Sequence, residues 1–294
     1  MDDLWGLATL VARKVTALVT GERFVNTTLA CLAFVATVEL LTGRRWRRYL
    51  TRTFLTDLTY FFFFTAGVYY FLFSGPVERL AKHVMLDYLP FLVFNPFGWL
   101  PDAPKALVFI MAIDFAEYCM HRLGHANKWY WKFHCIHHTP EALTPLSKFR
   151  IHWADMLIFG SFKALPLLAL GHMGVLWMPY LPLMFLQVFS HFDIDFHYGP
   201  VLGRLLVSPR YHRVHHSADP VQQNRNFGII FSCWDYIFGT AARDLTRPRA
   251  FGLREVKVPD SFPQQFFFPF LLVLRSLGWT GRRPQPEPAG DVAQ

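Results

Sequence analysis

Eight of the chain's thirteen histidines fall in three short stretches, HRLGH (121–125), HCIHH (134–138) and HRVHH (212–216). Residues three and four apart on a helix share a face. HRLGH therefore presents His121 with His125, HCIHH presents His134 with His137 and His138, and HRVHH presents His212 with His215 and His216. Imidazole binds iron, zinc and copper alike. One such pair is as readily a solvated or stacking helix face as a metal site. Three boxes, two of them repeating one HxxHH pattern, favour the metal. A single zinc takes three or four protein ligands, so eight clustered imidazoles suit two ions. Two neighbouring metals with open positions can share the binding and reduction of dioxygen. An all-histidine shell is neutral, unlike the carboxylate-bridged di-metal sites of soluble four-helix bundles.

The elements that must position these boxes are greasy. Hydrophobic residues make up 53% of the 294, aromatics 17% with 31 Phe, and charged residues 17%, against about a quarter charged in an average soluble domain. That balance predicts a membrane protein. Val25 to Leu41 is a marginal span and Phe54 to Ser74 a better one, despite Asp57; about twenty residues cross a hydrocarbon core. The arginine-rich loop between them, RRWRRYLTR (44–52), belongs on the cytoplasmic side by the positive-inside rule. Residues 84–104, rich in Pro and Gly, read as an interfacial or re-entrant segment, and Ala106 to Met120 as a helix running into the first box. Met156 to Ser190 has the length of two helices and a turn, so all three boxes return to the cytoplasmic side. Phe266 to Trp279 reads as lying on the bilayer, and the tail RRPQPEPAGDVAQ as disordered. The acidic opening MDDLWG reads as an amphipathic lead-in with no cleavable signal. The net charge of +8, set beside apolar runs, predicts an anionic membrane surface and no nucleic acid. The four cysteines form no CxxC pair and predict neither disulfides nor an iron–sulfur site.

The order HRxxH, HxxHH, a later isolated His, then PxxHRxHH, NFG and WDxxFGT resembles the fatty acid hydroxylase superfamily, which includes sterol desaturases and related lipid hydroxylases. The resemblance covers roughly residues 106–242; its last part here reads SPRYHRVHHSADPVQQNRNFGIIFSCWDYIFGTA. It implies an all-α integral membrane protein, with several transmembrane or re-entrant helices and a cytoplasmic helical cap holding a dimetal site. The implied divisions are anchoring helices and an interfacial segment (1–104), a catalytic domain (105–242), and a C-terminal interfacial segment with its tail (243–294). The implied ligands are His121, His125, His134, His137, His138, His212, His215 and His216, with His191 of FSHFDIDFH as the ninth. Many relatives carry His-x-Asn where this chain has His191-Phe-Asp193, followed by Asp195 and His197. Either His197 is a tenth ligand or Asp193 takes the asparagine's place. Asp114 matches the family's acidic position and shares a helical stripe with Tyr118, His121 and His125, a candidate to orient a ligand. Glu117 is a weaker candidate. Asn226 and Asp235 are expected to hold the loop, His152 to be other than a ligand, and His83 and His172 to be interfacial.

The implied cofactors are two iron ions, with zinc able to occupy the same imidazoles in a purified sample and dioxygen as co-substrate. The implied substrate is a membrane lipid or sterol C–H bond, hydroxylated or desaturated, since hydrogen abstraction is common to both. With no cysteine cluster, GxGxxG fingerprint or fused haem domain, the electrons must come from a ferredoxin or b-type cytochrome with its reductase. A basic cytoplasmic surface suits docking of an acidic donor. The rival of another class is a membrane zinc protein without oxidative turnover. A transporter would set ionisable residues along a mid-membrane path, whereas these boxes sit at helix ends on one side.

Overall fold

The computed structural model describes residues 22–42, 46–92, 97, 99–169, 177–254 and 256–279. Among them the chain is helical, without strands; two isolated bridges, Leu206 to Phe231 and Ser217 to Phe251, are its only extended pairings. The four cysteines are free. The N-terminal lead-in, Arg44 and Arg45, His172 and the Pro-rich tail fall outside the described residues.

Helix α1 (Glu22–Thr42) contains an apolar stretch, Val25–Thr42, long enough to cross a membrane. It buries Cys31 and Val35 and leaves Leu29, Leu40 and Leu41 exposed. Thr51 starts α2 (Arg52–Thr65) by accepting from the Phe54 amide at 3.1 Å. The expected single span over Phe54 to Ser74 is broken. Gly67, at φ 74°, ends α2, and the following helical stretch Tyr70–Tyr88, centred on α3 (Gly75–His83), leaves at 47°. A left-handed residue has no place inside a right-handed helix, and glycine alone adopts it without penalty. By length and composition the two arms together make a second candidate span.

Two caps place the histidine boxes. α4 (Asp102–Ala126) ends where Asn127 turns extended. The Asn127 side chain accepts from the Trp129 and Tyr130 amides at 2.9 and 3.0 Å, opening α5 (Lys128–His134), which passes into a 3-10 turn, Cys135–His138. Ser208 likewise accepts from the Tyr211 amide at 3.2 Å, with Pro209 at the first position of its helix. In chain order the remaining helices are α6 (Trp153–Ala169), α7 (Trp177–Ser190), α8 (Gly199–Leu202), α9 (Pro209–His215), α10 (Cys233–Ile237) and α11 (Phe262–Ser276). α4 packs along α6, α7 against α9, and α11 against α5.

Beneath the boxes lies a core of Cys31 and Val35 from α1, Tyr60 and Phe61 from α2, Ile136, Leu146 and Phe149, Val188 of α7, and Phe192. Phe61 is fully buried edge-on to Phe149, ring centroids 5.0 Å apart, while its neighbour Phe62 is 42% exposed. In detergent, Phe61→Ala is expected to destabilise by about 3 kcal/mol or more, and Phe62→Ala by less than about 1 kcal/mol. Unfolding midpoints measure both; equal shifts would show that Phe61 is not a core contact.

Candidate metal centre

Nine histidines converge as two groups, within each of which one nitrogen per residue lies within 4.8 Å of the others. The first group is His121, His125, His134, His138 and His215; the second is His137, His191, His212 and His216. The expectation that each HxxHH box presents one face is corrected. Each box divides: the i, i+4 pair stays in one group and the i+3 residue crosses to the other. Successive residues are about 100° apart around a helix, so adjacent His137 and His138, or His215 and His216, cannot aim at one ion. The division is also reciprocal. The second box sends its pair to the five-histidine group and the third sends its pair to the four-histidine group. The groups abut, with His138 and His216 rings 4.7 Å apart.

Backing bonds decide which nitrogen faces inward. His121 Nδ1–H donates to the Phe227 carbonyl at 2.7 Å, His125 to Asn224 Oδ1 at 3.2 Å, and His215 to the Arg225 carbonyl at 2.9 Å. His134 donates to Asp155 Oδ2 at 2.9 Å, His137 to the Arg150 carbonyl at 3.2 Å, and His191 to the Gln187 carbonyl at 2.8 Å. A carbonyl only accepts, so Nδ1 carries the proton and Nε2 keeps its lone pair. In the five-histidine group every Nε2 is buried without a hydrogen-bond partner. Five convergent orphaned lone pairs fit a transition-metal ion, which takes such nitrogens and whose ligands are oriented in this way. In the four-histidine group His191 Nε2 faces His212 Nε2 at 3.0 Å, and His212 Nε2 faces His216 Nε2 at 3.1 Å. Neutral rings can share an N–H between these nitrogens, and the same convergent nitrogens fit a cation in its place.

Gly124 is where the first box must be small: a Cβ there would lie 3.1 Å from the His134 ring. The Asp114 stripe of α4 docks onto residues 224–240. Asp114 accepts from the Ile230 and Phe231 amides at 2.9 and 3.2 Å and from Trp234 Nε1 at 2.8 Å, and Tyr118 OH meets Thr240 Oγ1 at 2.9 Å. Asp114 therefore orients no histidine directly, which corrects the expectation. It anchors the segment that supplies the Phe227 carbonyl. Asp235 accepts from the Phe227 and Gly228 amides, and Asn226, at φ 60°, donates to the Tyr211 carbonyl and accepts from the Ala242 amide. The NFG and WDxxFGT strings thus build the scaffold that offers Asn224, Arg225 and Phe227 to three histidines.

His197 stands outside both groups, exposed, its Nδ1 accepting from the Gly199 amide at 2.8 Å. Asp193 is not beside the histidines' inner nitrogens either; it pairs with Arg247 at 2.7 Å. The structure brings neither His197 nor Asp193 into the two histidine groups. Asp195 binds Arg210 and the buried Arg213 of the third box, so the FDIDF stretch clamps α9. His152 spends both nitrogens, donating to the Phe266 carbonyl and accepting from the Ala154 amide. His83 pairs with Asp87 on the surface, and Glu117 is buried beside Asp114. Asp155, Gln187, Arg150 and Asn224 went unsingled in the sequence. Only Asp155 left a trace, as an acid entering an apolar run.

A helical chain with two all-histidine groups, nearly all of whose members are buried, has the donor chemistry to hold metal ions. Residues 106–240 match the fatty acid hydroxylase family model, and in this region the chain is similar to members of the fatty acid hydroxylase superfamily. Its relatives include an ornithine lipid hydroxylase of Rhizobium tropici, 31% identical over 51% of this chain and 46% of that one. A very-long-chain aldehyde decarbonylase of Oryza sativa subsp. japonica is 34% identical over 47% and 46%, and a methylsterol monooxygenase of Arabidopsis thaliana 32% over 46% and 46%. The match thus spans about half the length of these relatives. No solved structure matches the chain.

Burial, and then the fields of neighbouring imidazoles, hold His121, His125, His137, His138, His191, His212, His215 and His216 well below the ordinary imidazole range. Folded, these rings stay neutral; unfolded, they protonate below about pH 6.5. The unfolded chain then binds more protons, so stability is full above that pH and falls as pH drops through it, by up to about 1.4 kcal/mol per unit per ring. Metal-stripped protein is expected to lose thermal stability steeply between about pH 7 and about pH 5. A flat midpoint across that window would contradict the neutral, buried cluster.

Proposed function

We propose that the chain is a membrane-bound di-iron oxidoreductase that hydroxylates a lipid or sterol C–H bond using dioxygen and external electrons. The observation that carries this reading is the set of five buried, unpartnered Nε2 atoms beside a second group of four histidines. The names of the relatives, a lipid hydroxylase and a sterol monooxygenase among them, supply the substrate class. Two ions bound there would supply dioxygen activation and hydrogen removal. The overall balance is R–H + O2 + 2 e− + 2 H+ → R–OH + H2O; desaturation is the other outcome of the same abstraction. The electrons come from a ferredoxin or b-type cytochrome with its reductase.

The chain's own residues do the positioning. Asn224, Arg225, Phe227 and Asp155 hold four imidazoles of the first group by their Nδ1–H, and Arg150 and Gln187 hold two of the second. Trp131, 5.0 Å from His125 and 5.4 Å from His138, and Phe227, 5.1 Å from His125, wall the first group against water. Limited water favours oxidation of a C–H bond over side reactions. The protein's part is to fix which carbon approaches.

Reconstituted with iron and a reducing system, the protein is expected to hold two ions per chain and to consume dioxygen with oxidation of a lipid, seen by comparing lipid extracts with and without it. His138→Ala and His216→Ala should each abolish oxidation and lower metal content. His83→Ala, on a surface pair, should keep most of its activity. Turnover with full metal in both box variants would defeat the site, and zinc-only binding without oxygen uptake would favour the non-oxidative rival.

The same reading places the chain as multi-pass, with the histidines on the cytoplasmic side. Single cysteines at Lys128 and at Val221, the latter 84% exposed, in a chain freed of Cys31, Cys119, Cys135 and Cys233, should both label from the cytoplasm. Labelling from opposite faces would break this topology.

A further inference from the structure

A carboxylate in the apolar helix α2 is out of place unless something holds it. Asp57 is fully buried, and its Oδ1 accepts from Arg150 Nε at 2.6 Å. Its Oδ2 accepts from Ser147 Oγ at 2.7 Å and Thr144 Oγ1 at 3.0 Å. The Arg150 guanidinium is spent in three directions: Nε on Asp57, Nη2 on the Thr53 carbonyl at 2.5 Å, and Nη1 on Thr139 Oγ1 at 3.2 Å. Thr139 in turn donates to the Ile136 carbonyl at 2.8 Å, closing the 3-10 turn that carries His137 and His138. The carbonyl of Arg150 itself accepts from His137 Nδ1. One side chain thus ties a candidate membrane helix to both ends of the loop behind the second box.

We propose that Asp57 and Arg150 are positioning residues for the four-histidine group, setting His137 through the Arg150 carbonyl. His137 is the only residue of the second box in that group; His134 and His138 serve the other, His134 held by Asp155 and His138 packed on the Trp131 ring at 5.4 Å. Loosening the clamp therefore weakens one group and spares the other. This rests on the two-ion reading above.

The test is chelator stripping of the iron-loaded, full-length protein in detergent, with metal per chain read by elemental analysis. In Asp57→Asn, one of the two ions is expected to leave at about ten- to a hundredfold lower chelator than in the wild type, the other unchanged. Arg150→Lys keeps the charge beside Asp57 but cannot make three divergent contacts, and should behave alike. His137→Ala should show the same loss, and Asp57→Asn added to it should cause no further change. Wild-type protein holding a single ion would fail the two-ion reading. Two ions in the wild type, released unchanged in both variants, would fail the positioning role alone. Joint weakening of both ions, additive loss in the double variant, or failure of both variants to insert would mark a general structural role and overturn the proposal.

Discussion

The centre depends on a single repeated interaction, an imidazole Nδ1–H donated to an oxygen that cannot donate back. It fixes the tautomer, the ring plane and the inward lone pair in one contact. It also explains why so much of the chain has no other evident task. Residues 224–240, the Arg150 corner and the first turn of α6 all end in an oxygen placed behind a histidine. A neutral, carbonyl-backed imidazole is a moderate donor. His134 differs, because a buried carboxylate stands behind it, so the two groups are electronically unequal before any ion is considered.

The site's economy comes from the helix repeat. One HxxHH box serves two centres because its third and fourth steps diverge, and the second and third boxes do so in opposite senses. The two groups therefore share backbone on both sides, which keeps them adjacent without any bridging carboxylate among the described residues.

Much of this was legible in the sequence where the signal is local. Histidine spacing marks the boxes, and composition marks the membrane character, because both are carried by side-chain types within a few residues. His191 has no local signal, and only its order in the family pattern singled it out. The division of each box is hidden because i, i+3 and i+4 spacing reads as one face, while neighbouring side chains such as His137 and His138, or His215 and His216, stand about 100° apart and enter different groups. The backing oxygens were hidden because most are main-chain carbonyls, which every residue has. Asp114 was legible as a residue with a task but not as an anchor, since its partners are amides more than a hundred positions away. The break at Gly67 was missed because an apolar window counts hydrophobicity and ignores backbone sign.

The oxygens behind the first box come from far down the chain: His121 bonds 106 positions ahead and His125 99 positions ahead. During synthesis the first and second boxes emerge long before α9 and its scaffold exist. At that stage the nascent chain offers four of the five imidazoles of one group but only one of the four in the other. Contacts of such long range form late. The order of emergence from the ribosome thus gives the two groups different histories: one has four of its ligands early but waits for His215 and the oxygens of residues 224–227, and the other gains three of its four ligands only with residues 191–216.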